Sequence, residues 1–263
     1  MDWVASLPGW LLLVGWLAIA LLTAVVGRLV VRAIVPEDER GDILGVVAPL
    51  MPALGATFAV LTAITLSSEA GYLKSAQDLV SAEAASASRL AWSATSPGVD
   101  SAPVHAALLG YLQATVADEW SGDRAARGDD TATLDAIATL ERVVRTEAAR
   151  TELGTPVSTE LLASVDAMTT GRRARIAAAS RDLPALYVVT LVASGIALIL
   201  NAGALVARVG RRAALLVVGL AVVVGLSLAL LFSISGPWRG PLVVPTQPMT
   251  DVIDDLQRGF FSS

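Results

Sequence analysis

Arginine is concentrated in one short stretch of this 263-residue chain. The segment from Gly171 to Pro184 reads GRRARIAAASRDLP, which places four arginines within ten residues, immediately before a long apolar run. A guanidinium carries a permanent positive charge and a planar fork of donors that binds carboxylates, phosphates and other anions. The cluster fits three roles: anchoring a helix end at lipid headgroups, attracting anions to a pore mouth, or solvating one helix face.

These arginines do not form a single patch if the segment is helical. At about 100° per residue, Arg172 and Arg175 share one stripe, whereas Arg181 lies about 180° from Arg172. We expect Arg181, just before the apolar run, to anchor the helix at the headgroups. We expect Arg172 and Arg175 to face a neighbouring helix of the same domain, opposite a glutamate or an aspartate.

The other residues that could support chemistry are few. His105 is the only histidine, and a lone histidine near a helix start is typical of packing or of the surface. The chain has no cysteine, no phosphate-binding glycine loop and no nucleophile elbow. Two short acidic groups are of a type that binds hard cations but is usually solvated: Asp118-Glu119, and Asp251, Asp254 and Asp255. We therefore predict no enzyme activity, no cofactor and no metal site.

The composition indicates a membrane protein. Hydrophobic residues make up 54% of the chain and charged residues only 16%, which is outside the usual range of soluble proteins. The net charge of −5 is spread over the polar segments, and no basic run indicates a nucleic-acid partner. Four runs are long enough to cross a bilayer as helices, at about 10–27, 43–66, 184–207 and 213–235. We predict a multi-pass protein of the cell (plasma) membrane.

The four runs divide the chain into an all-α arrangement of two transmembrane hairpins and one extramembrane domain. The predicted segments are a first hairpin over 1–66, a helical domain over 67–183, a second hairpin over 184–235, and an extended C-terminal tail over 236–263. Two apolar stripes with helical spacing predict core faces in the domain, namely Val104, Leu108, Tyr111, Leu112, Thr115 and Val116, and then Leu134, Ile137, Leu140 and Val144.

The second and third spans are predicted to project beyond the bilayer. No breaker stronger than a single glycine separates the second span from Ala91, or Val157 from the third span. Pro184 lacks a backbone donor and clashes with the preceding turn, so we expect a kink there in an otherwise continuous helix.

Two segments of the chain carry motifs of a known family of membrane proteins. The stretch EAGYLKSAQDLV, from Glu69 to Val80, is similar to the segment that leaves the pore-lining second helix of bestrophins, where the pattern is Asn-Ala-Gly-Tyr. The stretch SGPWRGPL after the last span resembles the Asp-Pro-Phe-Gly segment of that family, with Gly236 in place of the aspartate. The order of parts also resembles a prokaryotic bestrophin-like family. The residues that match the family motifs are Ala70, Gly71, Tyr72, Pro237 and Trp238.

The resemblance implies a homopentameric ion channel in the lipid bilayer, with a central pore lined by the second span of each subunit. Bestrophins generally conduct anions, so the resemblance implies chloride or other small inorganic anions as the permeating ions, with cations as the alternative that prokaryotic members of the family leave open. It also implies a hydrophobic neck formed by Phe58, Thr62 and Leu66. Their spacing of four residues places them on one helix face, and apolar rings can gate conduction by dewetting. The alternative is that these three side chains pack against neighbouring spans. The acidic calcium-binding cluster of animal bestrophins has no clear counterpart here.

A different class of function is a membrane-anchored sensor or scaffold subunit of a larger complex, which would not conduct.

The charges near the span ends do not decide the orientation. Six basic residues lie on each side: Arg28, Arg32, Arg40, Arg208, Arg211 and Arg212 on one, and Lys74, Arg172, Arg173, Arg175, Arg181 and Arg239 on the other. The resemblance favours a cytoplasmic helical domain.

Overall fold

The structure is a computed structural model that describes residues 9–34, 36, 40–120, 123–181, 184–206, 211–238 and 242–261. Over these residues the backbone forms helices and turns without a strand, which confirms the predicted all-α class. Some residues at the ends of the predicted segments and spans lie outside the described residues. They are 1–8, 183, 207 and 262–263. The helices are α1 Gly9–Ile34, α2 Arg40–Ser93, α3 Ser101–Asp118, α4 Asp123–Arg127, α5 Thr131–Ala148, α6 Thr155–Ala179, α7 Ala185–Leu205, α8 Arg211–Ile234 and α9 Gln247–Gln257.

Four of these helices are long and apolar enough to cross a membrane, and the protein is an all-α membrane protein. They are α1, the part of α2 that begins at Val47, α7, and α8 from Leu215. A helix satisfies its backbone donors and acceptors internally, which the hydrocarbon core requires because it contains no water. Each described span coincides with one of the four apolar runs.

The second span continues beyond the apolar run as predicted. α2 is a single helix of 54 residues, and it passes Pro49 and Pro52 without ending. Both prolines lie near the start of the helix, within the apolar part, where such interruptions of the hydrogen-bond ladder are tolerated. The same helix therefore forms a membrane span and a long extramembrane segment.

The third span does not continue from the domain, so the prediction of a continuous, kinked helix was wrong. α6 ends at Ala179, where the N–H of Ser180 donates to the carbonyl of Ile176. α7 then begins at Ala185, with Pro184 as its extended N-cap residue. A proline disfavours the helical region for the residue before it. The proline therefore separates two helices instead of bending one.

The chain divides into two compact units, and the boundary falls inside α2. The first unit comprises Met1–Tyr72, Asp182–Gly236 and Gly240–Leu242, and the second comprises Leu73–Arg181, Pro237–Arg239 and Val243–Ser263. In the first unit α1 packs against both α7 and α8. Trp16 stacks on Phe232 with their ring centroids 4.8 Å apart. The buried core of this unit contains Ala20, Ala24, Phe58, Leu191, Leu198, Ile199, Ala202, Val217, Ala221, Val224, Leu228 and Leu231.

The second unit is a helical bundle built around α2, α3, α5 and α6. α3 packs against α5 and α9, and α6 packs against α4 and α5. The predicted stripes form part of its core, with Val104, Leu108, Tyr111, Leu112, Thr115, Ile137, Leu140 and Val144 all buried. Leu134 is 40% exposed, so its assignment to the core was wrong. Asp130 caps α5 by accepting a hydrogen bond from the Thr133 N–H at 3.1 Å, as is typical of a first helical turn.

Candidate functional site

The second span packs little within its own subunit. Of the residues in the most apolar part of this span, 6% are buried. The corresponding share is 39% in the third and fourth spans. One helix face is nevertheless turned inward. The exposed residues of the opposite face, most of them small, are Ala53, Ala56, Val60, Ala63, Ile64, Ser67 and Gly71.

The three residues predicted to form a pore neck lie on the inward face of α2. Phe58 is 6% exposed and belongs to the core of the first unit. A Cβ at Gly195 would lie 3.2 Å from Cε2 of Phe58, so this glycine allows the phenylalanine ring to approach α7 closely. Thr62 and Leu66 are half-buried. The shared face follows from the helix, whereas the role of Phe58, Thr62 and Leu66 as a neck stays a prediction.

The residues that match the family motifs occupy different environments. Ala70 and Gly71 are exposed on α2, and Tyr72 is half-buried. Pro237 and Trp238 are both buried, and Trp238 is part of the core of the second unit.

The segment that contains Pro237 and Trp238 is fixed by two hydrogen bonds. The carbonyl of Pro237 accepts from the N–H of Val244 at 2.7 Å. The carbonyl of Val244 in turn accepts from the indole Nε1 of Trp120 at 2.9 Å. This part of the C-terminal tail is therefore anchored in the second unit.

A network of buried charges joins α2, α3 and α6 inside the second unit. Its members are Glu83, Tyr111, Glu119, Arg172 and Arg175, and we call it the buried charge network. The side chains of Arg175, Glu83 and Glu119 are fully buried. Nε of Arg175 donates to Oε2 of Glu83 at 2.9 Å, and Nη2 of Arg175 donates to Oε2 of Glu119 at 3.2 Å.

The second arginine of the network holds Glu119 from another side. Nε of Arg172 donates to Oε2 of Glu119 at 3.2 Å, and Nη2 of Arg172 donates to Oε1 of the same carboxylate. Nη2 of Arg172 also donates to the carbonyl of Gly128 at 3.1 Å. Two arginines and two glutamates thus balance each other's charge, which is what burial of ions requires. The prediction that Arg172 and Arg175 face acidic residues of a neighbouring helix is confirmed.

Tyr111 completes the network on the Glu83 side. Its hydroxyl donates to Oε1 of Glu83 at 2.5 Å, in a position that is fully buried. Burial, and then the negative charge of Glu83, raise the pKa of Tyr111 well above its ordinary value. Burial disfavours the charged form of Arg175, but the carboxylate of Glu83 outweighs it, and the pKa of Arg175 is raised. Tyr111 therefore stays neutral and Arg175 stays charged.

A glycine on α6 allows α2 and α6, two of the helices joined by the network, to approach each other closely. A Cβ at Gly171 would lie 3.3 Å from Cβ of Glu83 and 3.5 Å from its Cα. Any larger residue on α6 at this position would press against the side chain of Glu83 on α2. Glu83 is the network member that the sequence analysis missed. The signal was present, because Glu83 lies between Val80 and Ala87 on the buried face of α2, a core position that usually holds an apolar residue.

Four of the other candidate residues, His105, Glu119, Asp251 and Asp254, have structural partners. Nε2 of His105 lies 3.0 Å from the carbonyl of Ala91, to which it is placed to donate. Both carboxylate oxygens of Glu119 accept from arginine. Asp254 pairs with Arg258 at 3.2 Å, and Asp251 accepts from Gln247. Arg181, the predicted headgroup anchor, is exposed.

Four apolar spans, a helical unit that shares a helix with the second span, and an anchored C-terminal segment define a helical multi-pass membrane protein. The profile of the family described as Bestrophin-like domain matches residues 18–249. The chain belongs to this bestrophin-like family.

A solved structure has the same fold. It is a variant of a bacterial bestrophin homolog from Klebsiella pneumoniae, with a TM-score of 0.71 and 12% sequence identity over 93% of this chain and 99% of that chain. Among the curated proteins, none matches this chain. The predicted relationship to bestrophins is therefore confirmed at the level of family and fold.

Proposed function

We propose that this protein is a bestrophin-like ion channel that passes chloride or other small anions through a central pore lined by the second span of each subunit. Family membership supports the class of protein. The observation that carries the proposal is the weak packing of α2. Only 6% of the residues in its most apolar part are buried within the chain. A span that leaves most of one face uncovered is suited to line a shared pore or to contact other subunits.

A pore of this kind requires several copies of the chain. A single subunit contributes only one copy of α2 to a central pore. The proposed assembly is a homopentamer, which is what the relationship to bestrophins implies. The uncovered face of small residues is compatible with close helix approach between subunits, as small side chains allow helices in membranes to pack tightly.

The first experiment addresses conduction and assembly together. Native mass measurement of the detergent-solubilised protein should give five subunits, and reconstitution into planar bilayers should give single-channel currents. Under a potassium chloride gradient, the reversal potential should approach the equilibrium potential of chloride. A stable monomer, or bilayers that stay silent under every salt gradient, would contradict the channel and favour a non-conducting scaffold subunit.

Two faces of α2 are candidates for the pore lining. The first is the sequence-based neck of Phe58, Thr62 and Leu66, and the second is the exposed face around Val60. Val60 lies about 200° from Phe58 at roughly 100° per residue, and it is 57% exposed. The burial of Phe58 in the core of its own subunit supports the face around Val60.

Alanine substitutions separate these two linings. We expect Val60→Ala to raise the unitary conductance and to leave the thermal midpoint unchanged. We expect Phe58→Ala to leave the conductance unchanged and to destabilise the protein by about 3 kcal/mol, because it leaves a cavity beside Gly195. The reverse pattern, with a larger conductance for Phe58→Ala alone, would establish Phe58 as part of the neck.

A further inference from the structure

The face of α2 that packs in the second unit consists almost entirely of small apolar residues. They are Ala76, Val80, Ala84, Ala87 and Ala91, all of them buried. One turn of helix is a translation of about 5.4 Å. At these positions a slide of α2 by one turn would exchange one small apolar side chain for another, so they distinguish the registers poorly. Leu90 is the larger apolar side chain buried on the same face, and it resists such a slide by its size alone.

Glu83 is the charged side chain on this face, and it distinguishes the registers more strongly than the apolar side chains do. Its two carboxylate oxygens accept from two different helices, Oε1 from Tyr111 on α3 and Oε2 from Arg175 on α6. A one-turn slide would leave this carboxylate without both donors and would leave Arg175 facing Val80 or Ala87, depending on the direction of the slide. A buried charge without its partner is far more costly than a lost apolar contact. The charge therefore fixes the register of α2, as a single buried polar residue does in coiled coils.

The remaining groups of the network hold Arg175 in place for this role. Its guanidinium carbon lies 5.5 Å from the centre of the Trp120 ring, and its Nη2 donates to Glu119. Glu119 is in turn held by Arg172. Arg175 thus stays oriented toward Glu83, and the fork of its guanidinium contacts two carboxylates in a way that a lysine could not reproduce.

We propose that Glu83, Tyr111 and Arg175 form a clamp that fixes the register of α2, and that this clamp thereby positions the second span for channel opening. These residues are positioning residues and do not contact the permeating ion. The second part of the proposal rests on the proposed channel function. The first part, the register of α2, concerns this helix alone. α2 runs without a break from the clamp into its apolar part.

The test compares two buried carboxylates in the same unit. Glu83→Gln removes the clamp's negative charge and keeps the shape of the side chain. The matched control is Glu147→Gln, because Glu147 is 8% exposed and accepts from Arg150 at 2.8 Å and from the N–H of Asp100 at 3.1 Å, both of which lie outside α2. Hydrogen exchange is followed by mass spectrometry on the full chain in lipid nanodiscs.

We expect Glu83→Gln to speed exchange of the amides of residues 73–92 by about tenfold or more, since local opening becomes easier. Glu147→Gln should leave these amides unchanged and affect α5 instead. Equal protection of residues 73–92 in both variants would overturn the clamp. In planar bilayers, Glu83→Gln should change the open probability at least twofold with the unitary conductance unchanged. A wild-type protein without currents would contradict the proposed channel function. The exchange result would still show whether Glu83 fixes the register of α2.

A second variant keeps the test decisive if Glu83→Gln does not fold. Replacing both partners, as Glu83→Met with Arg175→Met, removes the charges together and leaves Glu119 paired with Arg172. Such apolar replacements of buried ion pairs often retain stability. We expect this double variant to fold with a thermal midpoint near that of the wild type, but with fast exchange in 73–92 and altered open probability. Wild-type exchange and wild-type gating in the folded double variant would refute the register role.

Discussion

The hydroxyl of Tyr111 lies in a buried site where its ionisation would destabilise the folded state. Its hydroxyl donates to Glu83 in a site closed to solvent, and burial raises its pKa well above the ordinary value near 10. In the unfolded chain the phenol ionises at about pH 10. The contribution of Tyr111 to stability is therefore complete below about pH 10 and is lost as the pH rises above that value.

We accordingly expect the second unit to lose stability steeply in alkaline solution. Thermal midpoints of the wild type should be flat up to about pH 10 and fall beyond it. Tyr111→Phe should show a shallower fall, together with a lower midpoint at neutral pH, because Glu83 loses one donor. Tyrosinate absorbance would detect the ionisation. A Tyr111 signal that titrates near pH 10 while the protein is still folded would show that the hydroxyl is not enclosed.

Sequence patterns predict the face on which a residue lies better than they predict its partner. The helical angle placed Arg172 and Arg175 on one stripe that faces acidic residues, and the structure confirms it. Glu83, a partner of Arg175, precedes it by 92 residues, and no local rule connects side chains so far apart. The same limit applies to Phe58, whose shared face with Thr62 and Leu66 follows from spacing. Its contact with Gly195 depends on how the spans pack.

At the scale of elements, the closest approach of α2 and α6 should make one glycine hard to replace. Gly171→Ala adds a Cβ at 3.3 Å from Cβ of Glu83, a residue that Arg175 and Tyr111 hold in place. We expect this variant to be destabilised by about 1–3 kcal/mol through overpacking. The thermal midpoint of the purified protein measures the effect.

Gly110 supplies the control for this substitution. It lies inside α3, and a Cβ there would meet no atom within 4 Å. Gly110→Ala should therefore stabilise the protein by up to about 1 kcal/mol, since alanine is the better helix former. If both alanine variants raised the midpoint equally, the approach of α6 to α2 would be looser than described.

Helix boundaries followed from the sequence where local chemistry sets them. Asp130 is of a residue type that caps helices, and its side chain accepts from a free N–H of the first turn of α5. The end of α6 was missed, because no helix breaker stronger than the single Gly171 lies between Val157 and Pro184. Leu134 was assigned to the core by its spacing. It lies in the first turn of α5 and is 40% exposed, because the neighbouring helices do not cover that position.

At the scale of the whole molecule, the side of the membrane that the helical unit faces is open to direct measurement. The natural chain has no cysteine, so a single introduced thiol reports its own position. Thr151 is exposed in the turn between α5 and α6. If the unit is cytoplasmic, Thr151→Cys should react with an impermeant thiol reagent only after the cells are permeabilised. Labelling of intact cells would place the unit on the opposite side.

The membrane architecture was the most predictable property of this chain. Hydropathy depends on each residue separately, so four runs of sufficient length identified the four spans without knowledge of any contact. Assembly is different, because it depends on surfaces such as the exposed face of α2 that the subunit leaves uncovered. The predicted pentamer and its chloride current therefore depend on the family relationship and on experiment.

The length of α2 has an electrical consequence. Its 54 residues, at about 1.5 Å per residue, extend roughly 81 Å, whereas the hydrocarbon core is only about 30 Å thick. A conduit lined by α2 along its whole length would behave as a long resistor, since the resistance of a narrow aqueous cylinder grows with its length. Much of the applied voltage would then fall outside the bilayer. In the proposed channel, charged side chains on the part of α2 beyond the apolar run, such as Lys74 and Asp78, would then shape the current.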